Sequence, residues 1–182
     1  MSYEIVEMSE LKMEEAMEYL QSELNTVRTG MANASMLARV EVDYYGSPTP
    51  LNQIAGISVV EGRTLVIKPY DPSSLKDIEK ACNKADLGIA PQNDGSVIRL
   101  TVPKLTGETR KEMTKKVKKI AEDVKVRIRN IRRDANADIK KDKTMDEDVQ
   151  KDALNEVQKI TDKYIKKIDE MADAKSKEVM SV

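Results

Sequence analysis

The sequence predicts an α+β protein: an elongated antiparallel three-helix bundle into which a small β/α unit, a mixed sheet plus a short helix, is inserted. Three observations carry this expectation. Apolar residues recur at alternating three- and four-residue steps in three long stretches, the spacing of a buried helical stripe. Between the first and second stretches the period drops to two, as in half-buried strands. The 182 residues include no Trp and no Phe, and six Tyr are the only aromatic residues, so the core must be aliphatic.

The first helix is expected over 1–29, with Met13, Met17, Leu20, Leu24 and Val27 on its seam. Thr29-Gly30 supplies a stop. Val40, Val42 and Tyr44 then alternate with Glu41 and Asp43 as a strand, which Gly46-Ser47-Pro48-Thr49-Pro50 breaks. Ile57 and Val59 mark a second strand. A turn at Glu61-Gly62-Arg63 leads into a third over 64–68, giving a hairpin. Asp71-Pro72 opens a short helix, because Asp accepts from free N–H groups and Pro suits the first helical position. Leu75, Ile78, Ala81, Cys82 and Ala85 form its apolar face. Asn93-Asp94-Gly95 is a turn, and Ile98, Leu100 and Val102 a last strand.

The second long helix carries Met113, Val117, Ile120, Val124, Ile128, Ile131, Ala135 and Ile139 on its seam. Its pattern fades over 140–143. Thr144 and Glu147 have the spacing of a capping box for the third helix, whose seam is Leu154, Val157, Thr161, Tyr164, Ile168 and Met171.

Amphipathic helices must bury their stripes, and three such helices do so most economically against each other. The bundle domain is therefore expected over 1–29 and 107–182, and the inserted domain over 31–105. The joints fall near 29–30 and 105–107, and both carry Thr-Gly: Thr29-Gly30 and Thr106-Gly107. Glycine at both crossings suits a hinge, and it equally suits a helix stop followed by a helix start. Residues 108–142 as one helix would span about 50 Å.

Composition excludes several chemistries. With no histidine there is no imidazole base or ligand. One cysteine forms no internal disulfide and no thiolate zinc cluster. The acidic first twenty residues do not read as a signal segment, and no apolar run approaches the ~20 residues of a membrane span. These features predict a cytoplasmic protein.

The formal net charge of −1 conceals a division. Residues 1–30 hold 2 basic and 7 acidic groups, whereas residues 108–142 hold 13 basic and 7 acidic. On a helical wheel a row flanks the seam of the second long helix: Lys111, Lys115, Lys118, Glu122, Lys125, Arg129, Arg132, Arg133, Asn136 and Lys140. It runs about 44 Å at 1.5 Å per residue. Such a row can follow an RNA backbone, where phosphates supply most of the affinity. It can also be a solvated face paired with acids on neighbouring helices. Arg in place of Lys at 127, 129, 132 and 133 favours the first reading, because the guanidinium fork suits phosphates and base edges.

Other candidates are weaker. Cys82 falls on an apolar helix face and reads as a structural thiol. Tyr44-Tyr45 could stack on a base, although alternation places one of them in a strand core. The glycines form no phosphate loop. Asp146-Glu147-Asp148 suits a helix start.

Several segments resemble the ribosome recycling factor family. They are Val27-Arg28-Thr29-Gly30; Val42-Asp43-Tyr44-Tyr45-Gly46-Ser47-Pro48-Thr49-Pro50-Leu51; Ala85-Asp86-Leu87-Gly88; Arg129-Asn130-Ile131-Arg132-Arg133-Asp134-Ala135-Asn136; and Val157-Gln158-Lys159-Ile160-Thr161-Asp162. They occur in family order along nearly the whole chain. The resemblance implies an L-shaped protein with a hinged inserted domain. It implies a translation factor that binds the post-termination ribosome through large-subunit rRNA and, with elongation factor G and GTP, splits the subunits. It implies a monomer with no cofactor and no reaction of its own, whose small domain meets the elongation factor. The RNA-binding residues it implies, together with the row, are Arg28, Lys111, Lys118, Lys125, Arg129, Arg132 and Arg133. Three positions depart from the family: Met31 and Thr109 stand where arginine is usual, and Gly107 where glutamate is. The connection over 142–146 is short and lacks the usual glycine. A coiled-coil scaffold protein is the alternative from another class.

Overall fold

The computed structural model describes residues 2–181 and divides them into two units. One holds the chain up to 27 together with 110–181; the other holds 28–109.

The first unit is built from α1 (Ser2–Asn25), α4 (Gly107–Lys141) and α5 (Glu147–Met180). Met13, Ala16, Leu20 and Leu24 of α1 are buried, as are Val117, Ala121, Val124, Ile128, Ala135 and Ile139 of α4 and Ala153, Val157, Tyr164 and Ile168 of α5. Met17, which the sequence placed on the seam, is only half-buried, and Ala16 is buried instead. The direction of the helices follows from who meets whom. Ile5 and Val6 of α1 pack on the cluster that holds Ala153 and Val157 of α5, and further along both helices Glu14 meets Tyr164, so these two helices run parallel. Lys125 of α4 pairs with Asp169 and Arg132 with Gln158, so α4 runs antiparallel to α5. Burying each of the Met, Leu, Ile and Val side chains among these contributes roughly 1.5–3 kcal/mol. The polar groups in this core are satisfied locally: Thr161 donates to the Val157 carbonyl at 2.7 Å and Ser9 to that of Val6 at 2.7 Å.

α1 stops at Asn25, four residues earlier than the expected span, although Val27 is still buried. The start of α4 is capped. The Thr106 hydroxyl accepts from the Thr109 N–H at 3.2 Å and shares a hydrogen bond with the Thr109 hydroxyl at 2.8 Å. The capping box expected from Thr144 and Glu147 does not form. The Thr144 N–H and hydroxyl instead donate to Asp142 Oδ1 at 2.9 and 2.6 Å, which holds that carboxyl below its usual range. The Gln150 side chain donates to the Asp142 carbonyl at 3.0 Å. One aspartate therefore organises the turn without a glycine.

The second unit contains β1 (Glu41–Tyr44), β2 (Ser47–Pro50), α2 (Leu51–Ile54), β3 (Ala55–Val60), β4 (Thr64–Pro69), α3 (Leu75–Lys84), β5 (Gln92–Asn93) and β6 (Ile98–Thr101). β1 and β2 pair alone; the other strands form a sheet in the order β3-β4-β6-β5. Every pairing among the described residues is antiparallel, so the mixed sheet expected from the sequence is corrected to two antiparallel sheets. Leu65, Ile67, Ile98 and Leu100 face a core shared with Val42, Leu51, Ile78 and Cys82.

The segment read as a strand breaker is itself β2. Tyr45 and Gly46 both take positive φ, +51° and +81°, the pair of a type I′ turn. That turn closes on Tyr44 and Ser47. Pro48 and Pro50 then oppose Asp43 and Glu41, at the alternate positions where no N–H is needed for the ladder. Asp71 caps the turn of 3₁₀ helix that leads into α3. Its Oδ1 accepts from the Ser73 N–H at 3.0 Å and its Oδ2 from the Tyr45 hydroxyl at 2.9 Å. These bonds, the Ser73 backbone first, hold the Asp71 carboxyl below its usual range.

Candidate nucleic-acid interface

The basic row lies along α4, but its members meet three different fates. Lys111, Lys115 and Lys118 are exposed. Lys125 is turned toward α5, where it pairs with Asp169 and keeps 18% of its side-chain exposure. Arg129 pairs along its own helix with Glu122 at 3.2 Å. Arg132 is half-buried; its Nη1 donates to Gln158 Oε1 of α5 at 3.2 Å, and its Nε is buried without a partner. Arg133 is exposed.

Toward the C-terminal half of α4 the row opens into a groove of about 440 Å³, lined by Arg129, Asn130, Arg132, Arg133, Asn136, Ala137 and Lys140. Helical spacing explains the convergence: 129, 132, 133, 136 and 140 follow the i, i+3, i+4 rule that places side chains on one face. The groove offers three guanidinium groups, one ammonium group and two side-chain amides. The amide Oδ1 of Asn136 is buried and without a partner. Planar donors spaced along one face suit phosphate oxygens and base edges.

Some expected members lie elsewhere. Arg127, counted among the dense arginines, is not in the groove: its guanidinium stacks over the Tyr19 ring of α1, 4.1 Å from the centroid. Arg28 is exposed on the segment after α1, within the second unit. Asn130 and Gln158 were missed, because Asn130 falls beside the i, i+3, i+4 line on which the row was drawn and Gln158 lies on another helix. Their occurrence in the segments 129–136 and 157–162 was the available signal.

The joint residues are ordered by ordinary local devices. Gly30 has φ of +73° and is buried. The Thr29 hydroxyl accepts from the Met31 N–H at 3.4 Å. Gly107 does not need to be glycine: its φ is ordinary, and an added Cβ would meet nothing within 4 Å. Met31 is exposed.

The remaining sequence candidates are accounted for. Cys82 is 1% exposed, and burial, with Glu79 beside it, pushes its thiol up to about 11. Tyr44 packs on the core of the second unit, and Tyr45 stands 81% exposed in the turn, edge-on to it. Among the described residues no three His, Cys, Asp or Glu side chains converge as metal ligands would, and no helix is long and apolar enough to cross a membrane.

Comparison with known proteins places the chain in a well-populated neighbourhood. The family model described as ribosome recycling factor matches residues 20–180. Ribosome-recycling factors of Bacillus licheniformis and Halalkalibacterium halodurans are each 54% identical, with all of both chains covered. That of Streptococcus pyogenes is 52% identical over the same extent. Among solved structures, a solution structure of a ribosome recycling factor aligns with a TM-score of 0.87 at 40% identity, covering 100% of this chain and 98% of the other. A second has a TM-score of 0.68 at 40% identity, with 98% of each chain covered; its subject is models for the T. thermophilus ribosome recycling factor and the E. coli elongation factor G bound to the E. coli post-termination complex.

Proposed function

The chain belongs to the ribosome recycling factor family, and from that premise we propose that it binds the post-termination ribosome through the basic row of α4 and, with elongation factor G and GTP, drives the subunits apart. The observation that carries the RNA contact is the groove in which Arg129, Arg132 and Arg133 converge. Its cationic, planar donors match the phosphates and exposed base edges of large-subunit rRNA. The similarity to a recycling factor described together with elongation factor G and a post-termination complex supports the choice of partner.

The chain performs no reaction of its own. The work is supplied by the partner's GTP hydrolysis, and the second unit receives the elongation factor's push. Thr29-Gly30 and Thr106-Gly107 are the joints through which that push acts on the bundle. The protein acts in the cytoplasm as a monomer without a cofactor.

The test is a polysome-splitting assay with purified polysomes, elongation factor G and GTP, read by sucrose-gradient sedimentation. The chain is expected to convert ribosomes to subunits only when both partners are present. Arg132→Gly is expected to abolish splitting while the far-ultraviolet circular dichroism stays helical. Splitting by that variant at the parent rate overturns the arginine assignment. Failure of the parent to split ribosomes, with salt-insensitive binding to another protein instead, overturns the function in favour of a scaffold.

A further inference from the structure

The segment Val157-Gln158-Lys159-Ile160-Thr161-Asp162 is only partly explained by the core. Val157 and Thr161 are buried in the bundle seam, and Lys159 pairs on the surface with Glu156. Gln158 and Asp162 sit one turn apart, and both are exposed. Arg132 Nη1 of α4 donates to Gln158 Oε1 at 3.2 Å. Gln158 Nε2 in turn donates to Asp162 Oδ1 at 2.8 Å. The three side chains form one hydrogen-bonded line across the two helices.

The ends of that line dictate its middle. A guanidinium only donates and a carboxylate only accepts, so the linking group must accept on one side and donate on the other. The amide of Gln158 does both, and its two neighbours fix which way it faces. A carboxylate at 158 would satisfy Arg132 but repel Asp162 one turn away.

The neutrality of the link has a consequence. Lys125 and Arg129 are each held by a carboxylate, Asp169 and Glu122, which offsets their charge. Arg132 is held by an uncharged amide and keeps its full charge. A long side chain fixed beforehand also loses less freedom on binding.

We propose that Gln158, itself fixed by Asp162, is a positioning residue that pre-orients Arg132 toward an RNA phosphate without neutralising it. The inference rests on the proposed RNA contact of Arg132, and the test separates the two. Binding of the full chain to purified 70S bacterial ribosomes is measured across a salt series for the parent, Arg132→Ala, Gln158→Met, Gln158→Glu and Arg132→Ala/Gln158→Met. Gln158→Met is expected to weaken binding on the order of five- to tenfold, with thermal unfolding unchanged because the side chain is exposed. The double variant is expected to bind no more weakly than Arg132→Ala alone. Gln158→Glu is expected to lower the salt slope by about 0.9, the loss of one phosphate contact. Parent-like binding by Gln158→Met beside a weakened Arg132→Ala overturns the positioning role, as do losses that multiply in the double variant. Parent-like binding by Arg132→Ala overturns the RNA reading itself.

Discussion

The hydroxyl of Tyr164, 3% exposed in α5, donates to Oε1 of Glu14 in α1 at 3.3 Å. It is the only aromatic ring buried in the bundle among the described residues, and it ties the two parallel helices together. Burial first, then the charges of Glu14 and Glu10, pushes its hydroxyl up to about 12 from an ordinary 10.0. A group whose pKa is raised on folding contributes stability that is complete below the unfolded value and is lost as pH rises through the folded one. The parent is therefore expected to lose stability between pH 10 and about 12 relative to Tyr164→Phe, which lacks the titrating group. At neutral pH the order reverses, and the variant is weaker by about 1 kcal/mol for the lost hydrogen bond. Urea unfolding of both proteins at pH 8, 10 and 11 checks the crossover.

The two joint glycines are expected to respond to alanine with opposite signs. Gly30 holds φ of +73°, where a Cβ costs about 1–2 kcal/mol. Gly107 is the first residue of α4, with open space where a Cβ would sit. Gly107→Ala is expected to stabilise by roughly 0.4–1 kcal/mol through the unfolded chain. Thermal unfolding of both variants reads the signs directly.

Lysines in the row are not equivalent. Lys118 is exposed, whereas Lys125 is already paired with Asp169. If the row lies on RNA, Lys118→Ala is expected to lower the salt slope of ribosome binding by about 0.9. Lys125→Ala is expected to leave the slope nearly unchanged, because the residue would exchange one anion for another.

The Cys82 thiol, buried and pushed up to about 11, is expected to resist iodoacetamide at pH 8 in the native protein. It should react as soon as the second unit unfolds. The thiolate is the reactive form, so alkylation followed by mass spectrometry becomes a clock for opening of that unit.

Long-period information was legible in the sequence and short-range exchange was not. The seams through Val117, Val124 and Ile128 and through Val157, Tyr164 and Ile168 were visible, because helical periodicity repeats over many turns. β2 was hidden because Pro48 and Pro50 usually break strands, and only the register set by the Tyr45-Gly46 turn puts both where no donor is needed. The capping box failed because Asp142 competed for the Thr144 hydroxyl. In the site, the groove arginines were found by spacing on one helix. The link from Arg132 to Gln158 crosses 26 positions of sequence, and a wheel drawn for one helix cannot show it. The same limit left Arg127 counted with the arginines that favour RNA, although its guanidinium is occupied by the Tyr19 ring of another helix.

The discontinuity of the first unit bears on how the protein is made. Residues 28–109 are contiguous and bury their own core, so this unit can fold while synthesis continues. α1 cannot, because its partner helices begin at Gly107 and Glu147. At about 5–20 residues per second it waits roughly ten to thirty seconds with its apolar stripe unburied. The glutamates at 4, 7, 10, 14, 15 and 18 leave the waiting helix strongly negative, and that charge opposes its association with like helices on a crowded polysome. A chain cut short before α5 lacks Gln158 and the helix against which Arg132 is held, so on the proposed RNA contact a truncated product is expected to bind ribosomes more weakly than the full chain.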